Sequence, residues 1–188
     1  MRAKNILLLI LLLEVTIIFL NSALAKMDAF FTDIACPTYA PDLVKNVSCC
    51  LNPPLKGSLS SSYSAQFILT EDVSDAKGKY VVALKRGSSF INYTSLDLDY
   101  CQTLLSLQTQ FLLKMIADEL RRVANFPLQC PFKKNTTYYI NRFTINSKAI
   151  PSYAPEMDFV SDCIIFVKKR KAMQLTIHGR VGRRRSGR

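Results

Sequence analysis

Apolar residues recur at every second position through most of this chain, and that period points to β-sheet. In LSSSYSAQFILT (59–70), Leu59, Tyr63, Ala65, Phe67 and Leu69 fall on one face. Ser60, Ser62, Ser64 and Gln66 fall on the other, and Ile68 alone breaks that polar face. Side chains alternate across a strand, so such a segment buries one face and wets the other. KYVVALKR (79–86) reads as a second strand, bounded by Gly78 and Gly87, and TYYINRFTI (137–145) as a third. DFVSDCIIFV and AMQLTIHGRV form a hairpin around the KKRK turn at 168–171. In its second arm Met173, Leu175, Ile177 and Val181 face inward, and Gln174, Thr176, His178 and Arg180 face out.

One segment has another period. In DYCQTLLSLQTQFLLKMIADELRRVANF (99–126), apolar residues stand at 104, 107, 111, 112, 115, 116, 120 and 123, which is helical spacing. Asp99 followed by Gln102 resembles a capping box, and Asp97 and Asp99 read as helix-entry residues. Arg121 and Arg122 suit the C-terminal end of the helix dipole, and Pro127 limits continuation. The spacing predicts a helix over 101–123 that buries Leu104, Leu107, Phe111, Leu112 and Met115. The fold class is therefore mainly β with one long helix.

The first 25 residues read as a secretory signal peptide. Arg2 and Lys4 form a basic start, Ile6 to Leu13 is an unbroken apolar run, and Ala23-Leu24-Ala25 is a cleavage pattern. The run is short for a membrane anchor and Glu14 interrupts it. No later stretch reaches spanning length. Residues 26–181 are expected to form one secreted domain, and 182–188 (GRRRSGR) a basic disordered tail. All six cysteines (Cys36, Cys49, Cys50, Cys101, Cys130 and Cys163) lie beyond the leader. An even number in a secreted chain suggests three disulfides. Sequons at Asn46, Asn92 and Asn135 suit the same compartment and mark surface positions.

The formal charge of +11 is unevenly spread. Residues 26–167 carry 14 Lys/Arg against 13 Asp/Glu, whereas 168–188 carry nine Lys/Arg and no acid. The body is neutral and the end is basic, so an anionic surface is an expected partner only for the end. Nothing in the body suggests nucleic acid.

Catalytic motifs are absent. A Ser–His–Asp or Cys–His site would need His178, the only histidine, and the alternation places it on a polar face. There is no C-x-x-C pair, no H-E-x-x-H and no glycine-rich phosphate loop. No enzyme activity, metal or cofactor is expected. The 11 Phe and 8 Tyr supply a core, or line a pocket between sheets for an apolar ligand.

FTDIACPTYAPDLVKNVSCCL, LDYCQTLL, NFPLQCPF, YYINRFTIN and IPSYAPEMDF occur in this order. They resemble a very large fly family of small secreted proteins of unknown function. That family is similar to the CheB chemosensory proteins and, more distantly, to the ML lipid-recognition and ganglioside-activator proteins. The most specific element is Asn125 with Cys130-Pro131. The resemblance implies an immunoglobulin-like, ML-like β-sandwich stabilised by disulfides, extracellular binding and no catalysis. Cys36, Cys49, Cys101 and Cys130 match the family pattern, and Cys50 and Cys163 are additional.

The leading expectation is a secreted carrier or presenter of a small apolar ligand, with Phe67, Val82, Leu84, Phe111 and Phe143 lining its pocket. The alternatives are an adaptor that binds an extracellular protein or receptor through a filled sandwich, and a basic tail that binds glycans or anionic surfaces. If 44–51 is a strand, Asn46, Ser48 and Cys50 face out and Val47, Cys49 and Leu51 face in. The expected pairing is Cys36–Cys49, Cys101–Cys130 and Cys50–Cys163, with Cys36–Cys163 as the alternative that ML-type domains suggest. Loop closure assigns these three about 3, 3.6 and 4.8 kcal/mol.

Overall fold

The computed structural model describes residues 27–54, 61–103, 111–127 and 129–183. Eight strands form two sheets: β1 (Met27–Ala35), β2 (Val44–Asn52), β3 (Ser62–Leu69), β4 (Ala76–Arg86), β5 (Ser89–Asp99), β6 (Thr137–Phe143), β7 (Met157–Val167) and β8 (Arg170–Arg183). The larger sheet runs β1-β8-β7-β4-β5 and the smaller β2-β3-β6, with every pairing antiparallel. The helical residues are α1 (Tyr100–Thr103) and α2 (Phe111–Val123). The chain is mainly β, a two-layer sandwich with a helix beside it.

Aromatic rings join the layers. Phe31 of β1 meets Tyr63 of β3 edge-on at 5.2 Å, and Tyr63 meets Phe143 of β6 at 5.1 Å. Such pairs add directional attraction to the area they bury. A second cluster gathers Phe67, Phe126, Phe132 and Tyr138 around Val44, Leu69 and Val167. The Cys36–Cys49 disulfide staples the end of β1 to β2, and so one sheet to the other. Cys101–Cys130 ties α1 to the segment before β6. Past α2, the Asn125 side chain donates to the Thr137 carbonyl at 2.8 Å and accepts from the Tyr139 amide at 2.7 Å. This holds the helix exit against β6, the smaller sheet's edge away from β2.

The strands expected within 59–70, 79–86 and 137–145 and in the final hairpin are β3, β4, β6, β7 and β8. The period-two pattern predicts neither β1 nor β5. β1 has two adjacent phenylalanines and a bulge between Phe31 and Asp33 that interrupts its period. β5 is a sheet edge exposed on both faces from Ser89 to Tyr93, and only its second half alternates, with Thr94, Leu96 and Leu98 half-buried and Ser95 and Asp97 exposed.

Three expectations change. Gly78 does not bound β4 but lies inside it, and the Tyr100 ring packs across it where a Cβ would collide. Gly182 and Arg183 are not tail but β8, paired with Asp28 and Met27 of β1. Cys50 and Cys163 are not bonded to each other. Cys50 is exposed on the outer face of β2, while Cys163 points between the sheets from β7.

The leader (1–25), Leu59, Leu104, Leu107 and tail residues 184–188 lie outside the described residues. So do the side chains of Phe111, Leu112 and Met115, although 111–123 is helical as expected. Among the described residues, no helix is long and apolar enough to cross a membrane.

Candidate functional site: the space between the sheets

Register decides which side chains enter the interior. On β4, Tyr80, Val82 and Leu84 share the face that carries Gly78. Their partners on β7 are Cys163, Ser161 and Phe159, which therefore point the same way. From the smaller sheet come Leu51, Tyr63, Ala65 and Phe67, and from α2 Ile116, Leu120 and Val123.

The expected pocket residues divide. Phe143 and Leu84 belong to the cluster around Phe31, and Phe67 to the one around Tyr138. Phe143 is buried in the ring triad, and Val82 is buried on β4. The side chain of Phe111 is not described. Several inward-facing groups keep part of their surface: Leu51, Ala65, Phe67, Leu84, Cys163 and Ile165 are all only half-buried.

Polar groups share that space. The Ser161 hydroxyl donates to the Tyr80 oxygen at 3.0 Å. The Tyr100 hydroxyl and the Cys163 sulfur are 2.9 Å apart. Burial pushes the Tyr80 phenol up to about 12, an effect eased by the Ser161 hydrogen bond and reinforced by Cys163. Burial likewise raises Tyr63, with Tyr80 and Cys163 adding to it, and raises Tyr100 well above its ordinary value, with Cys163 adding to that. The Cys163 thiol is raised by burial, against a hydrogen bond from Tyr100. All four are neutral at physiological pH. Sequence reasoning missed this group. Only Tyr63 stood on a face read as inward, and tyrosine is ordinary strand material.

Cys163 and His178 project from opposite faces of the larger sheet, since His178 follows inward-facing Ile177. They cannot act as nucleophile and base for one another. Among the described residues, no His/Cys/Asp/Glu group could hold a metal ion.

Asn46, Asn92 and Asn135 are exposed. Asn46 and Asn135 have left-handed backbones (φ 52° and 57°), a region asparagine tolerates. The cations of the hairpin turn are largely engaged. Lys168 pairs with Glu71 at 2.7 Å, Arg170 with Asp42 at 2.7 Å, and Lys171 lies 3.8 Å over the Tyr39 ring.

The model of a family described as "Protein of unknown function (DUF1091)" matches residues 79–161, from early β4 to the middle of β7. A similar solved structure is a Niemann-Pick type C2 protein from the Japanese carpenter ant. It is 14% identical, with 85% of this chain and 95% of that chain covered, at a TM-score of 0.27. The two-layer architecture here is read from the strands themselves. No curated protein matches the chain.

Proposed function

We propose that this chain is a secreted, non-enzymatic binding protein that carries or presents a small apolar ligand between its sheets. The observation that carries the reading is the set of inward-facing, half-buried side chains contributed by both layers, Leu51, Ala65 and Phe67 opposite Leu84, Cys163 and Ile165. An apolar ligand would remove that surface from water, at about 25 cal/mol per Å². Phe67, Val82, Leu84, Phe111 and Phe143 are its proposed lining. Two disulfides suit an oxidising compartment, and exposed Asn46, Asn92 and Asn135 are the proposed glycan sites. The resemblance to chemosensory and lipid-recognition proteins supports extracellular carriage, with a lipid or chemosensory molecule as the cargo.

The test is organic extraction of the purified protein followed by mass spectrometry, together with uptake of the fluorescent apolar probe N-phenyl-1-naphthylamine. A co-purifying lipid, or saturable uptake that apolar compounds displace, is expected. No extractable compound and no uptake would overturn the reading.

An adaptor reading draws on one specific feature. The tip of the β4–β5 hairpin exposes Phe90 (46%), Ile91 (50%) and Tyr93 (69%). Neighbouring apolar groups left in water are a common mark of a protein-contact surface. This surface can serve a receptor contact of a loaded carrier as well as an adaptor.

A further inference from the structure

The interior hydroxyls have a use beyond filling space. Tyr63 is 95% buried by its residual exposure of 5%, and its ring is fixed between Phe31 and Phe143. Yet among the described residues no hydrogen-bond partner meets its hydroxyl. Nor is that oxygen sealed in packed atoms: among the described residues, the only fully enclosed side-chain oxygen without a partner is Glu71 Oε1. The Tyr63 hydroxyl therefore keeps part of the residue's small remaining exposed surface. Cys163 packs against the buried cluster that holds Tyr63, and Tyr80 is the partner of Cys163 in the β4–β7 register. Tyr80 already accepts from Ser161, which leaves its own proton free to donate. Tyr100 reaches the same region through its contact with Cys163.

Such a cluster has a definite ligand preference. A buried donor without a partner costs free energy, and a ligand oxygen placed against it recovers that cost. Among the described residues no Lys, Arg or His takes part in the cluster, so none of them balances an anion there. A carboxylate buried against neutral hydroxyls would lose its hydration without a counter-charge.

We propose that Tyr63, Tyr80 and Tyr100, with Ser161 as positioning residue for Tyr80, form an interior hydrogen-bonding site for the polar end of a neutral, single-headed amphiphile. Its ligand class is an alcohol, ketone or ester on an apolar chain, not an ionised fatty acid. The inference rests on the carrier reading and specifies what the carried molecule must look like.

The test measures displacement of the naphthylamine probe by dodecane, dodecanol, methyl dodecanoate and dodecanoate, on the wild-type chain and on Tyr63→Phe and Tyr80→Phe. Taking each ligand's ratio of wild-type to variant affinity cancels its own transfer from water. Removing one hydroxyl should weaken dodecanol and methyl dodecanoate by about three- to ten-fold and leave dodecane unchanged. Tyr139→Phe, on the exposed outer face of β6, should change none of them. Dodecanoate affinity should fall as pH rises through its own carboxyl range, while methyl dodecanoate stays flat. Failure of all four to bind would overturn the carrier reading and this inference with it. Binding of all four with ratios near one in both tyrosine variants would overturn this inference alone. Ionised dodecanoate binding as well as its ester would overturn the neutral-ligand assignment.

Discussion

The Tyr100 hydroxyl reaches to 2.9 Å from the Cys163 sulfur by laying its ring across Gly78. Three stretches of sequence meet there: the start of α1, the middle of β7 and the start of β4. Tyr100 follows directly on β5, and Asp99 caps the turn by accepting from the Cys101 amide at 3.0 Å. The cap aims the tyrosine back over the sheet rather than into solvent.

Gly78→Ala should therefore be costly although alanine suits a strand no worse than glycine. The new methyl would collide with the Tyr100 ring, so either the ring or the strand must move. A loss of about 1–3 kcal/mol in denaturant unfolding is expected. Tyr100→Ala made together with Gly78→Ala should show strong non-additivity, because the first change removes the obstacle to the second. Additive losses would show that the ring does not decide the position.

The two free thiols should differ sharply. Cys50 is exposed on the outer face of β2, whereas Cys163 faces the interior and burial raises its thiol. Thiolate is the reactive form, so the native protein should present one fast thiol to maleimide and one slow. Peptide mapping should place the fast label on Cys50. Saturation with an apolar ligand should slow Cys163 further and leave Cys50 unchanged. Equal labelling of both would show that Cys163 is open to bulk solvent.

Acid should weaken the fold through a short set of carboxylates. The Arg170 hydrogen bond holds Asp42 below the usual carboxylate range. The Lys134 amide, then Lys133, does the same for Asp72. Arg122, then Thr144, does so for Glu119. A carboxylate depressed in the folded state stabilises fully above its unfolded pKa of about 4, and the contribution is lost as pH falls through the folded value. The Asp42 and Asp72 pairs are exposed, so each adds little. Glu119 joins α2 to Thr144, just past β6, at 2.9 Å and should matter most. The melting temperature should fall between about pH 5 and about pH 2, and Glu119→Gln should flatten part of that fall. An unaltered profile in Glu119→Gln would remove it from the set.

Alternation revealed the strands that have one wet face, because there burial writes a period of two into the sequence. The hairpin of β7 and β8 and the inward set of Tyr63, Phe67 and Leu69 were legible for that reason. Edge strand β5 carries such a record only from Thr94 on, and bulged β1 interrupts its own. Cysteine pairing followed face logic for Cys36–Cys49, since Cys49 does point inward. The same logic failed for Cys50. A partner for an outward thiol on one sheet cannot be an inward thiol on the other, and the inward direction of Cys163 appears only once β7 is registered against β4. The interior hydroxyls were hidden for a like reason. Tyr80 and Ser161 are 81 positions apart, and their 3.0 Å contact is a product of register.

The basic end can now be divided by what each cation already touches. At the hairpin turn Lys168 and Arg170 hold Glu71 and Asp42, and Lys171 lies over Tyr39, so their charge is largely spent within the fold. At the other end of the hairpin Arg183 closes β8 against Met27. The cations this leaves for a surface are Lys169 at the turn, Arg183 at the end of β8, and Arg184, Arg185 and Arg188 after it in sequence. Removing 184–188 should lower the salt at which the protein elutes from heparin, while Lys168→Ala together with Arg170→Ala should shift it little. Attraction of this kind weakens as salt shortens the Debye length to about 8 Å at about 0.15 M, so the truncated and full chains should converge above that concentration. Equal elution of the two at every salt would eliminate the tail as a binding element. A large shift from the turn variant alone would mean that its ion pairs with Glu71 and Asp42 yield to the heparin surface.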